Sequence, residues 1–455
     1  MPEVVDLSIR PYQSEGLEFL VNHRRAALFD EPGLGKSMQA LLAMDDLTPS
    51  GRILVVATGD AVGVWQDEAL RWLGEEASVY AGTKADPDAL GRGRVVVTNY
   101  HRLSTGLGYG GWSGVIFDES QMLRNRGTRT LFKAVRAHFD NQRTGLGKVP
   151  AFFLSGTPIV KAAGDVWPIL HSLDKKRWSS YWAFVHKYAI TWHDNFGWHV
   201  EGVTNTKAMW TELSSVALRR TVAEVQPNLP PKIRQRVPLT MTPRQAKAYR
   251  ELARDMYTAI DDVGGAVKGL LLASGALALE TRLRQLLVSP RLLGIEDDGA
   301  ALVALREVAG SHNRPLVVFT PFAEAIPYIM AAGEAVGRPA YAIQGGMRIG
   351  GIADSVKLYG MAARAGMAPL LVATVTMGKS WSVADVTHEC YMMGFDWNAT
   401  TMIQAESRLH RNEQKDTVFS RYFTHEKTHD QDALDVLAGK KRLADVILDR
   451  RPLHG

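Results

Sequence analysis

The chain has 455 residues, 46% of them hydrophobic and 22% charged, which excludes wholesale disorder and leaves room for about three average domains or two larger α/β lobes. A net charge of +5 and a pI near 9.1 suit a polyanionic partner, although the excess is mild for this length. The single cysteine, Cys390, excludes an intramolecular disulfide, no Cys/His cluster has zinc spacing, and Cys390 reads as a core thiol in a reducing compartment.

The N-terminal MPEVVDLSIRPYQ lacks a charged segment followed by an apolar one, and no apolar run approaches the length of a bilayer span. A soluble, cytoplasmic protein without membrane association is expected. The first strong signal in chain order is AALFDEPGLGKSMQALLAM (26–44), an apolar strand, a glycine turn and a helix, which is the context of a phosphate-binding loop. Gly33 and Gly35 let backbone N–H groups wrap phosphates, Lys36 reaches the β and γ oxygens, and Ser37 holds Mg²⁺ at the helix N-terminus. Asp30 stands where the general pattern has its first glycine, so a plain glycine-rich turn is the alternative reading.

Strand-like runs alternate with helical patterns thereafter: RILVVAT (52–58) before VGVWQDEALRWL (62–73), and RVVVTNY (94–100) before GVIFDES (114–120). That alternation predicts a parallel sheet. Asp118 and Glu119 close an apolar strand, where parallel sheets bind ligands. Asp118 can hold Mg²⁺ through water while Glu119 polarises the attacking water; a solvated loop pair is the alternative. AFFLSGTPI (151–159) presents Ser155 and Thr157 at a third strand end, with a tight turn as the competing reading.

A stretch rich in tryptophan and charge (161–215) and the proline-bearing PNLPPKIRQRVPLTMTP (227–243) precede a second series of strand-like runs at 315–321, 339–344, 369–376 and 389–395. Two lobes are expected, residues 1–215 with an insertion at about 161–215, and residues 216–455. Most tryptophans, including Trp72, Trp167 and Trp182, fall in apolar helical patterns and are expected to pack rather than to stack on bases. QAESRLHRNEQ (404–414) predicts a helix with Arg408 and Arg411 on one face and Gln404 a turn earlier. An arginine supplied to a nucleotide site speeds phosphoryl transfer by about 10³ to 10⁵, whereas such a pair by itself is usually a solvated face. His410 is expected to face solvent. A second GKS at 378–380 lacks an upstream glycine pattern, and the C-terminal KKRLADVILDRRPLHG reads as a solvated helix face.

Taken in order, these residues resemble the SWI/SNF-like branch of superfamily-two helicases and translocases, from residue 10 to about 418. RPYQ (10–13) is similar to the family's opening motif, which implies that Gln13 reads adenine. DEPGLGKS (30–37) resembles its phosphate loop, where an aspartate stands at the place of Asp30. DESQMLRN (118–125) is similar to the Asp-Glu box, with Ser120 and Gln121 replacing the commoner Gly or Ala and His, and LSGTPI (154–159) to the third motif. These imply that Gln121, Ser155 and Thr157 couple hydrolysis to lobe movement. The segments 167–188, 218–249 and 283–293 resemble regions that general helicases lack. VVFTPF (317–322), ATVTMGKSWSVADV (373–386), GFDWN (394–398) and QAESRLHRNEQ resemble the fourth, fifth and closing motifs, with Lys379 and Ser380 where the fifth has Gly-x-Gly and Glu413 replacing a usual glycine.

The resemblance implies an α/β architecture of two RecA-like parallel-sheet lobes in tandem with a helical insertion between them. It implies ATP and Mg²⁺ held by Lys36, Ser37, Asp118 and Glu119 of one lobe and met by Arg408 and Arg411 of the other, in a motor that translocates on double-stranded DNA, forked or branched forms included. Thr98, Asn99 and Tyr100, and Thr320, Thr374 and Thr376, follow strands and are candidate backbone contacts, with ordinary strand-end caps as the alternative. Two other readings stay open. One is a strand-separating or branch-migrating helicase, for which residues 387–403 leave little room for a wedge. The other is an ATP-switched DNA clamp or assembly factor, which the full hydrolytic set argues against. A monomer from a bacterial cell or phage-infected host is expected.

Overall fold

The computed structural model describes residues 9–82, 86–105, 111–125, 131–140, 146–195, 197–261, 268–347, 351–377, 381–396, 399–411, 414–426, 428 and 430. The second GKS, Glu413 and the basic C-terminal segment lie outside these residues. Contacts within the chain divide it into one unit running to Pro227 and another beginning at Asn228.

In the first unit the chain runs α1 (Pro11–His23), β1 (Arg25–Leu28), α2 (Lys36–Leu47), β2 (Ile53–Ala57), α3 (Val62–Leu73), β3 (Ser78–Tyr80), β4 (Val95–Asn99), α4 (Tyr100–Thr105), β5 (Gly114–Phe117), α5 (Leu131–Asp140) and β6 (Ala151–Leu154). The strands are short and almost wholly apolar, as expected where both faces of a parallel sheet are covered by helices. With β9 (Ala217–Leu218) they form a seven-stranded sheet in the order β3-β4-β2-β5-β6-β1-β9, and every pairing is parallel. Its two faces carry separate cores, one around Phe117, Phe153 and Trp167 and one around Trp65, Leu41 and Met44. The order brings the carboxyl ends of β5, β6 and β1 side by side, so residues 118, 155 and 29 begin neighbouring loops.

Between β6 and β9 lie α6 (Trp167–Leu173), α7 (Tyr181–Tyr188), α8 (Thr206–Leu213) and an antiparallel hairpin of β7 (Ile190–Asp194) and β8 (Gly197–Glu201). The helical insertion therefore contains a hairpin that helical periodicity did not disclose. ITWHD and GWHVE are runs of β-branched and aromatic residues, too short to show a reliable period. Trp167 is buried as expected, but Trp182, expected to pack, is 39% exposed, and Trp192 and Trp198 on the hairpin are 43% and 52% exposed. The first unit closes with α9 (Val222–Val225).

The second unit runs β10 (Lys232–Leu239), α10 (Pro243–Asp261), α11 (Lys268–Val288), α12 (Gly299–Ser311), β11 (Leu316–Thr320), α13 (Ile326–Glu334), β12 (Ala340–Ile343), α14 (Gly351–Arg364), β13 (Leu370–Thr374), β14 (Glu389–Met392), α15 (Ala399–Glu406) and β15 (Val418–His425). Its six strands form a second all-parallel sheet in the order β10-β15-β14-β11-β13-β12. Cys390 is a core thiol on β14, and burial pushes its pKa up to about 12. Among the described residues no helix is long and apolar enough to cross a membrane.

One buried carboxylate ties three elements of this unit together. Glu406, the last residue of α15, accepts from Lys232 Nζ at 2.9 Å and Arg234 Nε at 2.6 Å on β10, and from the Tyr422 hydroxyl at 2.6 Å on β15. Burial alone would raise its pKa; Lys232 and Arg234 outweigh burial and hold the carboxyl well below its usual 4.5. A carboxyl so depressed contributes its stability in full above the unfolded value and loses it as pH falls toward the folded one. Glu406→Gln is therefore expected to destabilise the second unit by about 2 kcal/mol at pH 7 and to flatten the loss of stability below pH ~4.5 that denaturant unfolding of the wild type shows.

Candidate nucleotide site

The loop after β1 takes the form a phosphate-binding turn requires. Gly33 (φ 92°) and Gly35 (φ 74°) adopt left-handed conformations, and α2 starts at Lys36 from an uncapped Gly35, leaving its first amides to the loop. Gly35 is also needed for space, because a Cβ there would stand 2.6 Å from Gln13 Nε2. Lys36 donates to the carbonyls of Asp30 (2.7 Å) and Glu31 (3.1 Å). Burial lowers its pKa; the carboxylates of Asp30, Glu119 and Asp118 oppose that shift and Arg219 adds to it. Ser37 follows in the first turn of α2.

Asp118 and Glu119 leave β5 two strands away from this loop, with β6 between. Asp118 Oδ2 accepts from Trp65 Nε1 at 2.9 Å and Oδ1 from the Glu119 amide at 2.9 Å. Burial and then the Glu119 charge push the Asp118 pKa up to about 6, against the pull of Trp65 and Lys36. Glu119 itself sits at φ 50°, ψ 47°, a left-handed conformation that costs a non-glycine residue free energy and recurs at functional turns. Its Oε2 accepts from Gln121 Nε2, Gln121 Oε1 accepts from Ser155 Oγ at 2.6 Å, and Ser155 Oγ accepts from the Thr157 amide at 3.0 Å. The three residues expected to couple thus form one chain of bonds from the paired carboxylates to the end of β6.

Several groups here were not expected at the site, although Arg219 and Arg220 open the segment 218–249 that resembles the family. Arg220 makes a two-point ion pair with Asp30, Nε to Oδ1 at 3.1 Å and Nη2 to Oδ2, with 0% of Asp30 and 7% of Arg220 exposed. It also donates to Gln39 Oε1 at 2.9 Å and to the Tyr12 carbonyl. Arg219 donates to the carbonyls of Phe29 (2.7 Å) and Gly156 (3.2 Å). Gln13, expected at the adenine, lies at the same place: its Nε2 donates to the Leu34 carbonyl at 3.5 Å and its Oε1 accepts from the Arg10 amide at 3.0 Å.

The donor set fits a nucleotide with Mg²⁺. The uncapped helix start and Lys36 suit phosphate oxygens. Thr157 Oγ1 is buried with no hydrogen-bond partner among the described residues. Mg²⁺ takes one or two protein ligands and fills its shell with water and phosphate. Ser37 and Asp118 are the two that would hold it.

The six candidate DNA contacts differ in accessibility. Thr98 is fully buried and donates to the Tyr80 carbonyl at 2.7 Å, Asn99 Oδ1 accepts from the Arg102 amide at 3.0 Å, and Tyr100 is buried with its hydroxyl on the Asp118 carbonyl at 2.7 Å. Thr320 and Thr374, paired across β11 and β13, are buried, while Thr376 is exposed. In the second unit the helix expected to carry Gln404, Arg408 and Arg411 ends at Glu406, so the two arginines do not share a helix face. They lie instead on the turns that follow. Arg408, buried, donates to the carbonyls of Gln404 (3.1 Å) and Trp381 (3.1 Å), and Arg411 to that of Ser407 (3.2 Å). His410 does not simply face solvent, because its Nε2 bonds the Pro230 carbonyl at 2.8 Å.

Comparison with known proteins adds an independent line. A family model described as SNF2-related domain matches residues 12–292, well over half of the chain. The chain is similar to a Drosophila melanogaster SWI/SNF-related matrix-associated actin-dependent regulator of chromatin subfamily A-like protein 1, at 25% identity over 97% of this chain and 56% of that protein. It is similar also to the Bos taurus DNA annealing helicase and endonuclease ZRANB3, at 25% identity over 57% of this chain and 25% of that protein. The chain thus spans little more than half of the first relative and a quarter of the second. A Sulfolobus solfataricus SWI2/SNF2 ATPase core solved in complex with dsDNA aligns over 97% of this chain and 93% of its own, with 21% identity and a TM-score of 0.44.

With burial and the Glu119 charge raising the Asp118 pKa to about 6, protons would compete below that pH with a Mg²⁺ ion held at this carboxylate. Mg²⁺ affinity in the presence of ADP, compared with that of Asp118→Asn so that titration of ADP's own phosphate cancels, is expected to show an additional fall of up to about tenfold per pH unit below pH 6, as read by calorimetric titration.

Proposed function

The chain belongs to the SNF2-related family, and from that premise we propose that it is a DNA-dependent ATPase that translocates on double-stranded DNA. The observation that carries this reading is the hydrolytic set on three neighbouring strand ends: Lys36 after β1, Asp118 and Glu119 after β5, and Ser155 after β6, with Glu119 bonded through Gln121 to Ser155. A nucleotide-binding switch needs Lys36 and Asp118, but it does not need a strained Glu119 wired to a third strand. The relatives named above, a chromatin regulator and a DNA annealing helicase, make DNA the expected track.

ATP is the substrate, and Mg²⁺ would neutralise charge on its β and γ oxygens. Lys36 leaves two neutral carbonyls for the stronger, charge-assisted bonds of phosphate. Asp118, oriented by the Trp65 indole, presents an oxygen for a metal-bound water. Glu119 accepts the proton of the attacking water or orients it. Gln13 reads the base, and Arg408 and Arg411 offset the charge developing on the γ-phosphate. Among the candidate DNA contacts, exposed Thr376 and partly open Asn99 are best suited to phosphates without further movement.

A second reading, strand separation, is favoured by one specific observation. The β7–β8 hairpin exposes Trp192 and Trp198, and Trp192 stacks flat on His199 with ring centres 3.9 Å apart and planes at 6°. Aromatic faces of that kind stack on unpaired bases at about 1–3 kcal/mol per base.

ATP hydrolysis measured with duplex, single-stranded and forked DNA, alongside triplex displacement and strand-separation assays, tests both readings. Duplex DNA is expected to stimulate hydrolysis, Lys36→Ala to abolish it, and Glu119→Gln to lower kcat by about 10² to 10⁴ while nucleotide still binds. Hydrolysis indifferent to DNA would overturn the motor. Strand separation that exceeds triplex displacement, and that Trp192→Ala with Trp198→Ala removes, moves the assignment to the helicase.

A further inference from the structure

The phosphate loop is fastened to the last residues of the first unit by bonds that use the same two loop residues as Lys36. Asp30 and Glu31 give their carbonyls to Lys36 Nζ. From the other side, Asp30 Oδ1 accepts from the Arg220 amide at 3.0 Å as well as from its guanidinium, the Glu31 amide donates to the Arg220 carbonyl at 3.0 Å, and Glu31 Oε2 accepts from the Val222 amide at 2.8 Å. Arg220 also reaches the middle of the loop, because Gln39, which accepts from its Nη2, donates through Nε2 to the Leu34 carbonyl at 2.9 Å. Helix α1 makes room for this arrangement at Gly16, where a Cβ would stand 1.9 Å from Gln39 Oε1 and 2.6 Å from Arg220 Nη2.

The segment so attached is itself a small rigid element. Thr221 caps α9 in a reciprocal box with Glu224, Thr221 Oγ1 accepting from the Glu224 amide at 3.2 Å and Glu224 Oε2 from the Thr221 amide at 2.8 Å. Gln226 then donates to the Tyr12 hydroxyl at 3.0 Å. The chain continues from there to Asn228, where the second unit begins.

We infer that Arg220 is a positioning residue through which occupancy of the phosphate loop is passed to residues 219–226. The inference rests on the nucleotide-binding reading above. Phosphate oxygens attract the Lys36 ammonium more strongly than carbonyls do, so phosphate in the loop takes Nζ away from Asp30 and Glu31. Those two peptide groups lose their partner on one side while their side chains and the Glu31 amide stay bonded to Arg220 and Val222 on the other. A buried two-point ion pair does not stretch by degrees, since separating its members leaves unpaired charge out of water. Any turn of the loop's first two residues is therefore carried to the capped helix rather than absorbed between them. A brace that served stability alone would leave the segment indifferent to nucleotide.

The test is hydrogen exchange of the full chain, read by mass spectrometry on peptides covering 219–227, without nucleotide and with Mg²⁺ and a non-hydrolysable ATP analogue. Wild type is expected to change its exchange at 221–226 by about threefold or more on adding the analogue, and Lys36→Ala, which cannot hold the phosphates, not at all. Arg220→Lys keeps the charge but loses the fork and the Gln39 bond; it is expected to bind the analogue within about tenfold of wild type by fluorescence titration, to lose the exchange response, and to lower kcat more than it raises KM. If the analogue binds wild type and exchange at 221–226 does not move, or if Arg220→Lys responds as wild type does, the link is overturned while the ATPase reading stands. A wild-type chain that binds no nucleotide overturns both. Should Arg220→Lys fail to fold, Glu31→Ala, which removes the acceptor of the Val222 amide, takes its place with the same expected loss, and a full response in it overturns the link.

Discussion

A carboxylate with none of its surface exposed is expensive to hold inside a protein unless a charge and hydrogen bonds meet it, and the first unit meets Asp30 with Arg220, 190 positions further along the chain. Much of the candidate nucleotide site depends on that pairing. It sets the entrance of the phosphate loop, whose carbonyls hold Lys36, and through Gln39 it sets the loop's middle. The loop is therefore not a local structure that a glycine-rich turn completes by itself. It is finished only when β9 has joined the edge of the sheet beside β1 and delivered Arg219 and Arg220 to it.

The parallel sheet supplies the second constraint. Because every strand of the first sheet points the same way, the loops after β1, β5 and β6 open at one edge, and residues from three distant stretches meet there. Glu119 is held in a left-handed conformation at that edge, and its carboxylate is tied through Gln121 to Ser155. A free loop would relax such a turn; here the bond chain and the buried β5 above it keep the conformation. The same edge explains Asp118, whose pKa is raised by burial beside a second carboxylate while the Trp65 indole holds its orientation.

The second unit uses a buried carboxylate in a different way. Glu406 gathers β10, α15 and β15 around itself, and the two arginines follow on the turns beyond the helix end. Helix α15 ends at Glu406, and Arg408 on the turn beyond it bonds the Trp381 carbonyl. The residues that anchor this unit and those assigned to the nucleotide thus sit within a few positions of one another but do separate work.

The paired α/β organisation, the glycine turn between β1 and α2, the paired carboxylates at the end of β5 and the buried cysteine were legible in the amino-acid sequence, because each is written within a few consecutive residues: an apolar run, a glycine that permits a left-handed turn, a carboxylate at the strand end. Only the tertiary structure decided what those groups touch. Arg219 and Arg220 stand in a segment that resembles the family, and Gln39 and Trp65 in helical patterns, but their partners Phe29, Asp30, Arg220 and Asp118 lie tens to hundreds of positions away, so their spacing does not say what they touch. The aromatic hairpin and the turn at Arg408 escaped for a related reason. Five-residue strands and a helix end are settled by packing and capping against distant residues, and periodicity carries no information about those partners.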